Sequence, residues 1–319
     1  MDPLSDFLAL LRPRSAASSR FDAGGGWSIR FGGQQQRHIK SYVVLAGECW
    51  LAVDGREKIE RLEQGDCFVL PTGCPFRLAS DLGLPSVSAL TLFPAAGPGG
   101  VVTLADGDDF SMLVSRFAVT GKHADQLLQM LPAVVRLHKD ADQAALRWLA
   151  ERMMHELREP KPGSDLVTQD IAHMTLVLAL RAHLNGGLDQ DTGWFFALAD
   201  QQLSRAITAM HAEPSRRWTV RELGKHAGMS RSVFALRFKA AAGETPMQYL
   251  ARWRMLLACD RLEHSSDSVA TIAEALGYES ESAFGTAFKR VLGCSPRQYS
   301  KACDEDDALD TDKSSSLSP

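Results

Sequence analysis

The chain has 319 residues, 45% of them apolar and 23% charged, with a formal net charge of −4. That length predicts two compact domains, and the composition excludes wholesale disorder, a collagen-like fibre and a disulfide-stapled mini-protein. The charge looks wrong for a nucleic-acid binder until it is divided along the chain.

The start, Met1 to Leu11, lacks a basic lead and begins Asp2-Pro-Leu-Ser-Asp6, so it does not read as a secretion signal. From about residue 27 to 120, short apolar runs alternate with turn signals: Tyr42–Leu45, Cys49–Val53, Asp54-Gly55, Gly65-Asp66, Cys67–Leu70, Pro71-Thr-Gly73. Strands of four to six residues at this spacing predict an antiparallel barrel or sandwich. From Ala124 to Leu184 the period lengthens. Ala144–Leu157 (Leu146, Leu149, Met153, Leu157) and Val167–Leu184 (Ile171, Met174, Leu178, widened by Leu176 and Leu180) carry apolar residues three and four apart, which predicts helices. The broad apolar arc of the second predicts burial against a second copy as well as its own domain. Its longest apolar run, Met174 to Leu180, falls far short of the ~18–20 residues of a membrane span. No membrane partner and a cytoplasmic location are expected. Six scattered cysteines (49, 67, 74, 259, 294, 303) with no CxxC pair suit that reducing compartment. Asn185 to Gly193 is rich in Gly and Asp and reads as a linker.

Beyond the linker, residues 200–301 hold 15 Lys and Arg against 10 Asp and Glu, while 302–319 hold one Lys against six acids. A basic domain is thus masked by an acidic tail, Asp304 to Asp312, expected to be disordered and able to compete with phosphate for the basic face. The basic domain also repeats itself. Val220 and Gly228 recur 49 residues on as Val269 and Gly277. After one extra turn residue, Ser230, Ser232, Phe234, Phe238, Lys239, Gly243, Pro246 and Tyr249 recur 50 residues on as Ser280, Ser282, Phe284, Phe288, Lys289, Gly293, Pro296 and Tyr299.

Each copy reads as helix–turn–helix. Thr219 caps a short helix whose inward face is Val220, Leu223 and Ala227, and Gly228 supplies a left-handed turn. Ser230 caps a second helix, Arg231 to Ala242, that stops at Gly243. Phe234, Phe238 and Ala241 must bury. The opposite face presents Ser232, Ala235, Leu236 and Lys239, short side chains beside a cation, as a major-groove helix requires. The second copy buries Phe284 and Phe288 and presents Ser282, Gly285, Thr286 and Lys289. Pro246 to Glu263 is a connecting helix of about 27 Å, a spacer suited to two readers one turn of DNA apart, about 34 Å.

Met229 to Lys239, Gly243 to Leu250, Ala273 to Ser280, Ala287 to Arg290 and Ser295-Pro296 together resemble the DNA-binding domain of AraC/XylS-type transcription regulators. The resemblance implies Ser232, Ala235, Leu236, Glu281, Ser282 and Thr286 as base contacts. Arg231, Lys239, Lys289 and Arg290 are implied as phosphate contacts. Leu236 and Thr286 stand where such proteins often carry long polar or basic readers, which shifts readout toward thymine methyls, hydroxyl contacts and DNA shape. Asp2 to Asp6, Gly47 to Leu51 with Val53-Asp-Gly55, and Gly65-Asp66 leading to Leu70-Pro71 resemble the cupin-type sensor domain of one branch of that family. Tyr42 and Phe76 stand where metal-binding cupins carry histidines, so no metal, cofactor or catalytic residue is expected.

The resulting expectation is an α+β chain: a cupin-like β-barrel with a helical extension, then an all-α domain of two helix–turn–helix motifs. The boundaries are 1–184 for the effector and dimerisation domain, 185–199 for the linker, 200–301 for the DNA-binding domain and 302–319 for the tail. Double-stranded promoter DNA, a small-molecule effector, a second copy of the chain and RNA polymerase are the expected partners, with Tyr42, Trp50 and Phe76 lining the effector pocket. Two other readings start from the same residues. One is a metal-dependent cupin enzyme with an accessory DNA-binding domain; the other is a redox sensor using Cys49, Cys67 or Cys74.

Overall fold

A computed structural model describes residues 2–32, 38–71, 74–93, 100–105, 107–119, 121–137, 143–185 and 193–301. The expected turn at Gly73, most of the Gly/Asp linker and the acidic tail lie outside the described residues. In chain order, helix α1 (Pro3–Leu11) precedes strands β1 (Arg14–Ala23), β2 (Ser28–Phe31), β3 (His38–Ala46), β4 (Glu48–Val53), β5 (Glu60–Glu63), β6 (Cys67–Leu70), β7 (Phe76–Ala79) and β8 (Val87–Ser88). There follow α2 (Ala89–Leu92), β9 (Val101–Leu104), β10 (Phe110–Ala118), α3 (Ala124–Leu128), β11 (Val135–Leu137), α4 (Gln143–Arg158) and α5 (Ser164–Asn185). The remainder is helical: α6 (Trp194–Ala199), α7 (Gln201–Ala212), α8 (Val220–His226), α9 (Arg231–Ala242), α10 (Pro246–His264), α11 (Val269–Ala275) and α12 (Glu281–Leu292).

Two compact units emerge, and neither is a continuous stretch of chain. One comprises residues 13–120 and 131–189; the other comprises 1–12, 121–130 and 190–319. The first is built of two sheets, ordered β11-β6-β3-β10-β1-β9 and β5-β4-β7-β2-β8. The barrel expected from the sequence is not closed. Its outer strands pair parallel within their own sheets, β9 with β1 and β8 with β2, and so leave two faces packed as a sandwich. Phe21, Trp27, Ile29, Tyr42, Leu51, Phe68, Phe76, Leu78, Phe110 and Met112 fill its core. Strand β6 is buried at every position. Phe68 and Leu70 point into the sandwich, and α5 packs on the sheet that carries their neighbours Cys67 and Val69. Burial on both faces explains why this strand reads as an unbroken apolar run.

The second unit is helical. The two recurring helix pairs, α8–α9 and α11–α12, flank the connecting helix α10. Residues 194–199, expected within the linker, form α6, which buries Trp194 and Phe195. Segments 1–12 and 121–130, expected with the sheets, belong to this helical unit. Asp2 caps α1 by accepting the Leu4 and Ser5 amides at 3.1 and 3.0 Å, which frees the apolar face Leu4, Phe7, Leu8 and Leu11 for burial. Phe7 stacks on Trp194 with ring centroids 4.7 Å apart, and Arg12 pairs with Asp260 at 2.8 Å.

Candidate nucleic-acid interface

The local chemistry of each repeat is visible in its hydrogen bonds. Thr219 and Glu222 form a reciprocal capping box at the start of α8, a pairing that satisfies two otherwise orphaned amides. Ser230 and Ser280 cap α9 and α12 by accepting the Val233 and Ala283 amides. The turn glycines Gly228 and Gly277 sit at φ +66° and +78°, backbone that glycine adopts without a Cβ penalty. Both second helices end on left-handed glycines, Gly243 and Gly293.

These caps fix which face of each helix is outward. Phe234 and Phe238 are buried on α9, and Phe284 and Phe288 on α12, in matching tilted pairs with centroids 5.6 Å apart. The inward partner at the end of α9 is Ala242; Ala241, expected there, is half-buried. On the opposite face Ser232, Leu236 and Lys239 are exposed on α9, and Glu281, Ser282, Thr286, Lys289 and Arg290 on α12. Leu236 is 74% exposed, an unusual setting for a leucine that no neighbour covers. Ala235 and Gly285 are half-buried at the floor of that face.

Hydrogen bonding separates these side chains further. The Thr286 hydroxyl donates to the Ser282 carbonyl at 3.0 Å, so its lone pairs and methyl group face outward. Glu281 pairs with Arg297 at 3.2 Å. Arg231, its counterpart in the first repeat, makes no ion pair with a described residue, nor do Lys239, Lys289 and Arg290. Arg237 points elsewhere: Asp200 holds it at 2.6 Å and Gln202 at 2.8 Å. Sequence reading missed Val233. It is 49% exposed and three residues before Leu236, and that helical spacing is the signal that extends the apolar stripe.

The helical unit is braced from behind by two buried histidines. His211 lies between Asp6, 3.3 Å from its Nδ1, and the Tyr249 hydroxyl, 2.6 Å from its Nε2, and stacks on Trp253 at 3.8 Å. Burial lowers its pKa despite Asp6. The neutral ring therefore donates to Asp6 and accepts from Tyr249. His123 sits 3.1 Å from Glu263, which also accepts from the Lys122 amide at 3.1 Å and from the Tyr299 hydroxyl. Burial alone raises the Glu263 carboxyl, but these bonds outweigh it and hold it at about 2.

In the sheet unit, Tyr42 and Phe76 point inward. Tyr42 stacks on Phe68 at 4.5 Å and meets Phe76 edge-on at 5.7 Å. Trp50, expected beside them, points outward and is 37% exposed. Strand alternation turns Cys49 and Leu51 inward and Trp50 to the other face. Burial raises the Tyr42 phenol far above its usual range, and the stacked aromatic donor set does not fit a metal ion. Among the described residues, no three His, Cys, Asp or Glu side chains gather as a metal would require. Burial also pushes the Cys49 and Cys67 thiols up to about 12, which removes the thiolate a redox sensor uses. On α4, Glu156 accepts from Ser164 and pairs with Arg152. Among the described residues no helix is long and apolar enough to cross a membrane.

Two capped helices, presented outward over matching phenylalanine pairs in tandem repeats, define a helix–turn–helix protein that binds DNA. Comparison with known proteins agrees. The cupin family matches residues 2–185, and a helix-turn-helix domain matches 223–302. A putative AraC-like transcription regulator of Streptomyces lividans is 38% identical over 302 residues, covering 94% of this chain and 98% of its own. The HTH-type transcriptional regulator MtrA of Neisseria gonorrhoeae is 29% identical over 302 residues, covering 94% and 98%. A crystal structure of the DNA-binding domain of AdpA in complex with a target DNA is 34% identical, covering 32% of this chain and 92% of that one at a TM-score of 0.30. The chain belongs to the AraC family of DNA-binding transcription regulators, with a cupin-family N-terminal region.

Proposed function

We propose that this regulator holds promoter DNA through α9 and α12 in successive major grooves. Ser232, Val233, Leu236, Ser282 and Thr286 meet base edges, and Arg231, Lys239, Lys289 and Arg290 meet phosphates. Exposed Leu236, flanked by Val233 and Ser232 and bordered by cations that make no ion pair with a described residue, is the observation that carries this reading. An exposed aliphatic stripe on a groove-binding helix suits the thymine methyl group, which protrudes into the major groove. Ala235 lies at the floor of the contact. Glu281, engaged by Arg297, positions α12 rather than meeting a base edge directly.

The sheet unit is proposed to bind a small organic effector around Tyr42 and Phe76, to bring two copies together and to catalyse nothing. For pairing, α4 and α5 offer Trp148, Leu166 and Met174, all more than half exposed. Effector binding would shift the population of arrangements able to bind DNA and engage RNA polymerase in the cytoplasm.

The test starts from genomic fragments captured by the purified chain. On a captured duplex, Leu236→Ala is expected to weaken binding about fivefold, roughly 1 kcal/mol. Exchanging the contacted thymines for uracil removes their methyl groups and should weaken the wild type equally. The two changes together should add nothing further. Full additivity between them would show that Leu236 and the methyls do not meet.

A further inference from the structure

Opposite charges are distributed unevenly within the helical unit. Among its described residues, most carboxylates already have cationic partners. Asp200 holds Arg237, Glu213 and Glu222 hold Arg216, Glu244 holds Arg252, Asp260 holds Arg12, Glu279 holds Arg217 and Glu281 holds Arg297, while Glu263 faces His123. The cations left without an ion pair to any described residue include Arg231 and Lys239 on α9 and Lys289 and Arg290 on α12. They border the outward faces of both recognition helices, a surface prepared for a polyanion from elsewhere.

The same chain carries one. Residues 304–312 supply Asp304, Glu305, Asp306, Asp307, Asp310 and Asp312. The described residues that precede this segment pack on α12. Tyr299 packs edge-on against Phe288 with centroids 5.6 Å apart, and Phe288 directly precedes Lys289 and Arg290 on α12. From Lys301, an extended chain advances at most about 3.3–3.6 Å per residue, which bounds the span at roughly 10 Å to Asp304 and almost 40 Å to Asp312. That bound exceeds the length of the twelve-residue α12, about 18 Å. A segment tethered so closely acts at an effective concentration in the millimolar range, so even a weak intrinsic attraction suffices for occupancy.

We infer that residues 304–312 occupy the DNA-binding face of their own chain, in competition with phosphate, and so set how tightly the regulator holds DNA. This rests on the DNA-binding face proposed above. A docked segment must leave before DNA can bind, which lowers affinity for every sequence. Salt screens the intramolecular attraction, so competition fades as salt rises and the salt dependence of DNA binding becomes shallower than that of the unobstructed face.

The test compares the full chain with a variant in which all six acids become Asn or Gln. A 30-base-pair duplex of mixed sequence serves as probe, titrated from 50 mM to 0.5 M salt. The neutralised variant is expected to bind about fivefold tighter at 50 mM, with the two curves converging at high salt. Acetylation without DNA reads docking directly: relative to Lys161, Lys239 and Lys289 should react several times more slowly in the native chain than in the variant. Unchanged lysine ratios overturn the proposal even if affinities differ, because net charge alone would then be responsible. Unchanged affinities overturn the competition. If neither chain binds the duplex, the DNA-binding face falls, and the lysine ratios still decide whether the segment docks.

Discussion

Gly228 and Gly277 hold the same turn in the two repeats, but an added methyl group meets different surroundings. At Gly228 the nearest atom is the Gln202 side-chain nitrogen at 3.9 Å; at Gly277 the Ser215 carbonyl oxygen lies only 2.0 Å away. Gly228→Ala therefore adds left-handed backbone strain alone, about 1–2 kcal/mol. Gly277→Ala adds a backbone collision, and denaturant unfolding is expected to show a distinctly larger loss. The repeat marks both glycines as turn residues. Their inequality depends on Ser215, a residue outside the repeat, and so has no trace in the pattern. Trp50 makes a related point. An aromatic in a strand reads as core, yet which face it takes depends on register, and a one-residue difference reverses it.

At the scale of elements, the buried histidine networks predict how the helical unit responds to acid. Glu263 has a native pKa of about 2 against an ordinary 4.5, so the unfolded chain binds the proton first as pH falls. Its stabilisation is complete above pH 4.5 and is lost between there and pH 2. His211 has a lowered native pKa, so the unfolded chain again takes the proton first, and stability falls as pH drops below 6.5. Glu263→Gln should flatten the first limb and lower stability at neutral pH by about 2 kcal/mol, the usual scale for bonds to a charged group. His211→Phe keeps the stack on Trp253 and removes the titration, so the decline between pH 7 and 5 should become shallower. Denaturation midpoints collected across pH check both. Nothing in the sequence joins His123 to Glu263 or Asp6 to His211. Each pair lies more than a hundred residues apart and is assembled only by packing.

For the whole molecule, the main consequence is that the unit bearing the recognition helices includes segments from far upstream. Helix α1 packs Phe7 on Trp194 and sets Asp6 against His211, while residues 121–130 bring His123 to Glu263. Phe7→Ala is accordingly expected to destabilise the helical unit by about 3–5 kcal/mol, as deletion of a fully buried aromatic does, and to weaken DNA binding although residue 7 is remote from α9 and α12 in sequence. Amide hydrogen exchange in α7 and α10 measures the first effect, and duplex titration the second. A loss confined to the sheet unit would contradict it.

The tandem helix–turn–helix repeat, its caps, its turn glycines, its buried phenylalanines and its exposed cations are all written in the residue pattern. Those features are local, set by hydrogen bonds and side-chain periods within a few turns of helix, and repetition made them legible twice. The same pattern places short strands before the helices. Long-range packing set the rest: the sheets stay open, Trp50 faces outward, the Cys49 and Cys67 thiols are buried, and α1 and residues 121–130 join the helical unit. Each of these depends on strand register or on contacts between residues distant in sequence, and no local pattern of residue types encodes such contacts.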